Sequence, residues 1–221
     1  NLRWYTGPSI LEALDRLEPK EDLTARPFRF PIQDVYSLDH KKILVGRVAS
    51  GKAQRGSDVI ILPSKATTKI ESIEVYQSTK DEAKAGESIG MTLQDELNLK
   101  RGEVVCDLQY PSEVRTRVNA SIFWMSTRPL QIDNRLTIRC ATAEEHCHIE
   151  KIEARINSST LEIIERDGKI LEETEVGKVV ISIDGPVVFE DFNEIEELGR
   201  FVLTRTGEIC AGGIITAPIS R

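Results

Sequence analysis

No stretch of this chain approaches the roughly 20 consecutive apolar residues that a membrane-spanning helix needs, and no basic-then-apolar leader opens it. Aromatic residues make up 5% of the 221 residues, and there are three histidines and two methionines. With only His40, His146 and His148, a Ser/His/Asp triad would need long-range geometry that spacing cannot supply. The four cysteines (Cys106, Cys140, Cys147, Cys210) form no CxxC pair. Spread over the length of the chain, they read as reduced, packed thiols of a cytosolic protein. A phosphate cradle is missing too. The Gly-x4-Gly-Lys-Ser/Thr loop holds phosphates on backbone N–H groups and its lysine, whereas Ser50-Gly51-Lys52-Ala53 lacks both the upstream glycine and the following hydroxyl. No Asn-Lys-x-Asp follows to read a guanine base. Positive charge is the scarcer sign, with 29 Lys and Arg against 36 Asp and Glu and a net charge of −7. That balance argues against a module held mainly on nucleic-acid phosphates.

What is present is a globular composition, 40% hydrophobic and 29% charged, able to bury a core. Phe28, Phe30 and Ile32 alternate with Arg29, Pro31 and Gln33, a period of two that gives one buried and one wet face. The two prolines cannot donate to a ladder and place this strand at an edge or a sheet entrance. Ile43–Ala49 is a second strand, closed by Ser50-Gly51; Arg55-Gly56 turns the chain again before Asp58–Leu62. Further strands follow over Thr67–Tyr76, around Ile89 and over Leu99–Val105. This spacing, with turn signals between, predicts a barrel rather than a βαβ fold. Gln109–Glu113 marks a boundary. Beyond it, Val118–Met125, Leu136–Cys140, His146–Arg155, Val176–Ile183 and Phe201–Thr204 form a second all-β unit. Ahead of both, Ser9 and Glu12 have capping-box spacing and Ile10, Leu11, Leu14 and Leu17 helical spacing, with Pro19 as the stop. The expected fold is all-β: two tandem small β-barrels, residues 25–110 and 111–221, after a linker and short helix at 1–24.

Three features invite chemistry. His146 and His148 would share a strand face, but closed zinc sites want four ligands, and the pair reads as solvated beside a buried thiol. Acidic pairs such as Glu144-Glu145 and Glu172-Glu173, and the run Glu190–Glu197, read as surface and solvated loop. Arg29, Arg47, Lys52 and Arg55, with Arg26 nearby, make the one cationic cluster. It is a candidate anion, RNA or partner contact, set against an edge strand protected by positive charge.

Arg-Pro-Phe-Arg-Phe-Pro-Ile-Gln-Asp-Val-Tyr at Arg26–Tyr36, Val-Gly-Arg-Val-Ala-Ser-Gly at Val45–Gly51 and the Lys-Arg-Gly at Lys100–Gly102 resemble the second domain of translation-factor GTPases, elongation factors Tu and 1-alpha among them. Leu198–Leu203 with Cys210–Ile215 resembles that superfamily's closing hairpin. Two pieces of text resemble more narrowly the GTPase subunit of bacterial-type sulfate adenylyltransferase: Phe123–Leu130 with its Trp-Met and Pro-Leu, and Ile156-Asn157-Ser158-Ser159-Thr160-Leu161-Glu162, where that branch has Ile-Asp-x-Asn-Thr-Leu-Glu. The departure at Asn157–Ser159 leaves the substrate open. The resemblance implies that the chain is two domains of a longer, cytoplasmic protein whose G domain, with GTP and magnesium, lies upstream of Asn1. No catalytic, cofactor-binding or metal residue is assigned in this chain. The complete enzyme would couple GTP hydrolysis to the conversion of ATP and sulfate to adenylyl sulfate and pyrophosphate, with adenylyl transfer on a separate small subunit. The alternatives are an elongation factor delivering aminoacyl-tRNA and a non-catalytic interaction module.

Overall fold

The computed structural model describes residues 7–16, 22–38, 41–75, 78–216 and the backbone of 217. Nine strands make the first unit: β1 (Arg29–Leu38), β2 (Lys41–Arg47), β3 (Lys52–Gln54), β4 (Asp58–Leu62), β5 (Ala66–Val75), β6 (Ser78–Lys80), β7 (Glu82–Lys84), β8 (Ser88–Leu93) and β9 (Val104–Asp107). The sheet order is β4-β9-β1-β2-β8-β5-β6, and β4 also pairs with β5. That extra pairing closes six strands into a barrel and leaves β6 appended outside it. Phe30, Ile32, Leu44, Ile61, Ile73 and Met91 fill its core.

The second unit has the same plan. Its strands are β10 (Glu113–Trp124), β11 (Leu130–Gln131), β12 (Leu136–Cys140), β13 (Ala143–Asn157), β14 (Ile163–Gly168), β15 (Ile170–Leu171), β16 (Glu175–Phe189), β17 (Arg200–Arg205) and β18 (Glu208–Ala217). The order is β12-β17-β18-β10-β16-β13-β14, with β12 also pairing β13. Six strands close again, and β14 is appended. Closure removes the unpaired edges on which β proteins aggregate. The architecture is the all-β pair of barrels that the strand pattern predicts.

Three expectations change. First, β1 is no edge strand: it lies between β9 and β2. Pro27 lies ahead of the strand, and Pro31 is tolerated because the strand changes partner there. Residues 29–31 pair with β9, and pairing to β2 starts at Ile32, so the N–H that Pro31 lacks falls at the hand-over. Second, the face expected to be wet is partly covered: Arg29 is buried beside Phe30. Third, the helix α1 (Ile10–Asp15) has its capping box, with Glu12 N donating to Ser9 Oγ at 3.3 Å and Ser9 N to Glu12 Oε2 at 2.7 Å. Its Ile10, Leu11 and Leu14 are nevertheless exposed. Leu17 and Pro19 lie outside the described residues, as do Tyr76 and His40.

The branch-like text of the second unit is packing. Trp124 is fully buried, its Nε1 donates to the Arg128 carbonyl at 3.0 Å, and the Arg205 guanidinium sits 5.4 Å from its ring centroid. Leu130 is buried against it in the same core. Asn157 turns the β13–β14 hairpin: its Oδ1 accepts from Ser159 N at 2.9 Å and Thr160 N at 3.0 Å. An aspartate does the same job, so the departure from Ile-Asp is conservative in this turn.

Gly51 and Gly56 test how tightly the first barrel is built. Both have positive φ, +70° and +84°, but a Cβ on Gly51 would lie 2.5 Å from Phe28 Cα, whereas one on Gly56 meets nothing within 4 Å. Gly51→Ala is expected to cost about 2–4 kcal/mol, backbone strain plus clash, and Gly56→Ala only about 1–2 kcal/mol of backbone strain. Urea unfolding of the two variants checks the difference.

Candidate functional site

The two barrels meet along a seam that charge and apolar packing build together. Ala49, Leu62, Val104 and Cys106 of the first barrel form one buried cluster with Val188, Ile195 and Leu198 of the second. The segment after β16 makes this possible. It carries the acidic run and the short helix α2 (Glu196–Gly199), and Glu190 N donates to the Leu198 carbonyl, folding the run back on itself. Across the seam Arg29 Nε donates to Glu190 Oε1 at 2.7 Å, and Ser112 Oγ donates to the same oxygen at 2.6 Å. Arg29 also donates to its neighbour's carbonyl, Phe28 O, at 2.9 Å. The backbone around it is pinned as well: Arg29 N donates to Ser50 O, and Ala49 N to Arg29 O. Cys106 sits behind the pair, its Sγ 3.4 Å from Ser112 Oγ, and burial pushes its thiol up against the opposing pull of Arg29.

The acidic run is therefore the joint between the barrels and not a solvated loop. Ile195 and Leu198 alternate with the acids and are buried; that interleaved apolar pair was the signal available in the sequence. Beside the joint, a notch of about 490 Å³ is lined by Asp22, Arg47, Glu196, Glu197 and Arg200. Burial pushes the Glu197 carboxyl up, with Arg47 and Arg200 pulling it partly back.

The four cations do not form one surface. Arg29 is corrected from a surface cation to a buried one, 4% exposed, because Glu190 reaches it from the second barrel. Arg47 faces the notch. Lys52 lies on β3, 3.9 Å from Glu82, and Arg55 Nε donates to the Glu71 carbonyl at 3.1 Å. His146 and His148 flank the buried Cys147 on β13, with His146 Nδ1 3.4 Å from Thr137 Oγ1. Among the described residues no group of three or more His, Cys, Asp or Glu could hold a metal. The four thiols are free and buried, with Cys140 and Cys147 pushed up to about 12 mainly by desolvation. They are poor nucleophiles where they stand.

Sequence reasoning also missed a groove on the first barrel. Tyr36, Leu38, Ile43, Val75 and Ile89 wall it, with Gln33 and Ser88 at its rim, and it encloses about 710 Å³ of largely open space. Tyr36 and Leu38 are more than half exposed in it.

Two family models match this architecture. Residues 42–106 match "Elongation factor Tu domain 2" and residues 117–216 match "GTP-eEF1A C-terminal domain-like". The chain is a tandem of elongation-factor domains. Among its relatives, elongation factor 1-alpha of Methanopyrus kandleri is 34% identical over 230 residues, covering 97% of this chain and 54% of that protein. Sulfate adenylyltransferase subunit 1 of Tolumonas auensis is 31% identical over 202 residues, covering 90% of this chain and 42% of that protein. The solved structure of sup35 complexed with GDP superposes with a TM-score of 0.84 at 23% identity, covering 98% of this chain and 53% of that one. That likeness shows the fold. The elongation-factor tandem spans about half the length of the relatives it matches.

Arg29→Ala leaves the half-buried Glu190 opposite no cation and is expected to cost about 2–3 kcal/mol; Arg29→Met with Glu190→Gln should recover much of that loss. A double-mutant cycle by denaturant unfolding measures it. Glu197 makes a pH prediction. A carboxyl raised in the folded state contributes stability below its unfolded pKa, roughly 4.3, and that contribution is lost as pH rises through the folded value. Glu197→Gln should therefore raise the unfolding midpoint at pH 7, and the gain should vanish on acidification below about pH 4. Urea melts across that range decide it.

Proposed function

We propose that this chain is the coupling half of a GTPase subunit of the sulfate adenylyltransferase type. The observation that carries the coupling role is the seam. The ion pair of buried Arg29 with half-buried Glu190, whose carboxylate also accepts from Ser112, and a shared apolar cluster join the barrels. A body so locked moves as a unit when an adjoining domain changes state. In the parent protein that domain would be an upstream G domain holding GTP and magnesium, and the receiver would be a catalytic adenylyltransferase subunit. GTP hydrolysis would then drive ATP and sulfate to adenylyl sulfate and pyrophosphate. The sulfate branch is supported by the Tolumonas auensis relative and by the Phe123–Leu130 text. The burial of Arg29 against Glu190 and the net charge of −7 weigh against RNA as the main partner.

The second reading is an elongation factor that delivers aminoacyl-tRNA. The relatives named elongation factor 1-alpha favour it, and so does the Tyr36 groove, since an exposed aromatic beside aliphatic walls can stack a base.

The deciding assay uses the full-length protein co-purified with its partner, following sulfate-dependent pyrophosphate release from ATP with and without GTP. Release that requires sulfate and rises with GTP is the expected result. Arg29→Ala should then cut the GTP stimulation while leaving GTP affinity unchanged. Charge reversals on the barrel surface should likewise weaken partner binding and spare GTP affinity. No release from a complex that still binds GTP would overturn the sulfate reading and turn the question to protection of aminoacyl-tRNA.

A further inference from the structure

Both barrels carry one strand outside the closed ring, and the two are not alike. In the first, β6 has three residues, and its Lys80 is held by Glu87. Short and charged, it is a blunted edge. In the second, β14 has six residues and, among the described residues, pairs only with β13. Ile163 to Asp167 are all exposed, Ile163 at 48% and Ile164 at 49%. Among the described residues, one whole side of its backbone has no ladder partner.

An apolar row runs into this edge. Phe123 pairs with Val176, Val176 with Ile156, and Ile156 with Ile163. Residues directly opposite in a sheet share a face. Phe123 stands between the inward Ile122 and Trp124, so the row faces outward; Phe123 is 39% exposed, and Met125 beside it 44%. An apolar row across four strands ending at an open strand is the arrangement that accepts an added strand: backbone groups supply hydrogen bonds, and the row receives alternate side chains.

The charge around it selects the occupant. Arg155 is shared between Glu165 and Glu175, at 2.7 and 2.8 Å. Glu162, Glu172 and Glu173 are exposed, and no described cation bridges them. Against these stand Arg166, Lys169 and Lys178, while Lys151 is held by Asp167, so the rim keeps a small acidic excess.

We propose that the β14 edge and the Phe123–Ile163 row dock an extended segment of a partner protein, aliphatic at alternate positions and basic between them. The surface is remote from the seam: Val176 lies near the start of β16, and Val188, in the seam, near its end. The proposal does not depend on the sulfate reading.

The test titrates an isotope-labelled 221-residue chain with a capped ~10-residue peptide of alternating lysine and valine, long enough to lie along one strand edge. Amide shifts at Ile163–Asp167 and in the Phe123 row should saturate. Binding should weaken at least about tenfold when glutamate replaces lysine, when alternate peptide amides are N-methylated, or in Ile163→Ser. The N-methyl peptide leaves the protein untouched, so its result stands even if a variant is unstable. Absent or non-saturating shifts at β14, saturation elsewhere, or equal binding of the glutamate peptide overturns the proposal. So does concentration-dependent dimerisation that protects the β14 amides without peptide, which assigns the edge to a second copy of this chain.

Discussion

A charge removed from water must find its opposite, and in this molecule that requirement joins two otherwise complete barrels. Each barrel closes its own ring and fills its own core, so neither needs the other to satisfy its backbone. What binds them is Arg29 on one side and Glu190 on the other, with Ser112 holding the carboxylate in place. Desolvating two charges is unfavourable taken alone. The surrounding hydrogen bonds and the Ala49–Leu198 cluster offset that cost. The pair and the apolar cluster together hold the barrels in register, with the two charged groups 2.7 Å apart.

The strands were legible because each barrel has one dry face, and one dry face imposes period two. Phe28, Phe30 and Ile32 announce the core side of β1 directly. The sequence could not show that a second barrel would cover part of the opposite side, and this is why Arg29 reads as a surface cation. The acidic run misleads for the same reason. Glu190 through Glu197 has the composition of a solvated loop, and only its distant partner reveals it as a joint; the separation of 161 residues between Arg29 and Glu190 lies beyond any local pattern. Prolines misled differently. Pro31 forbids a ladder bond at one point, which an edge satisfies, but a strand changing neighbours satisfies it equally well.

Family text and chemistry part company here. The residues that carry the narrower resemblance, Trp124, Leu130 and Asn157, pack a core and turn a hairpin. They preserve the scaffold on which a branch builds its surface, so they identify kinship without naming a substrate. A scaffold does not by itself name a function, and no motif points to the groove, the seam or the outer rows.

The placement of the thiols has a practical consequence. Cys106 lies at the seam behind Ser112, whereas Cys147 and Cys210 belong to the interior of the second barrel. Separation of the barrels would bare the first while the other two stay sealed, and unfolding of the second ring would bare those. The molecule thus carries two internal clocks, one timing the parting of its halves and the other the melting of one half, and a single alkylating reagent reads both.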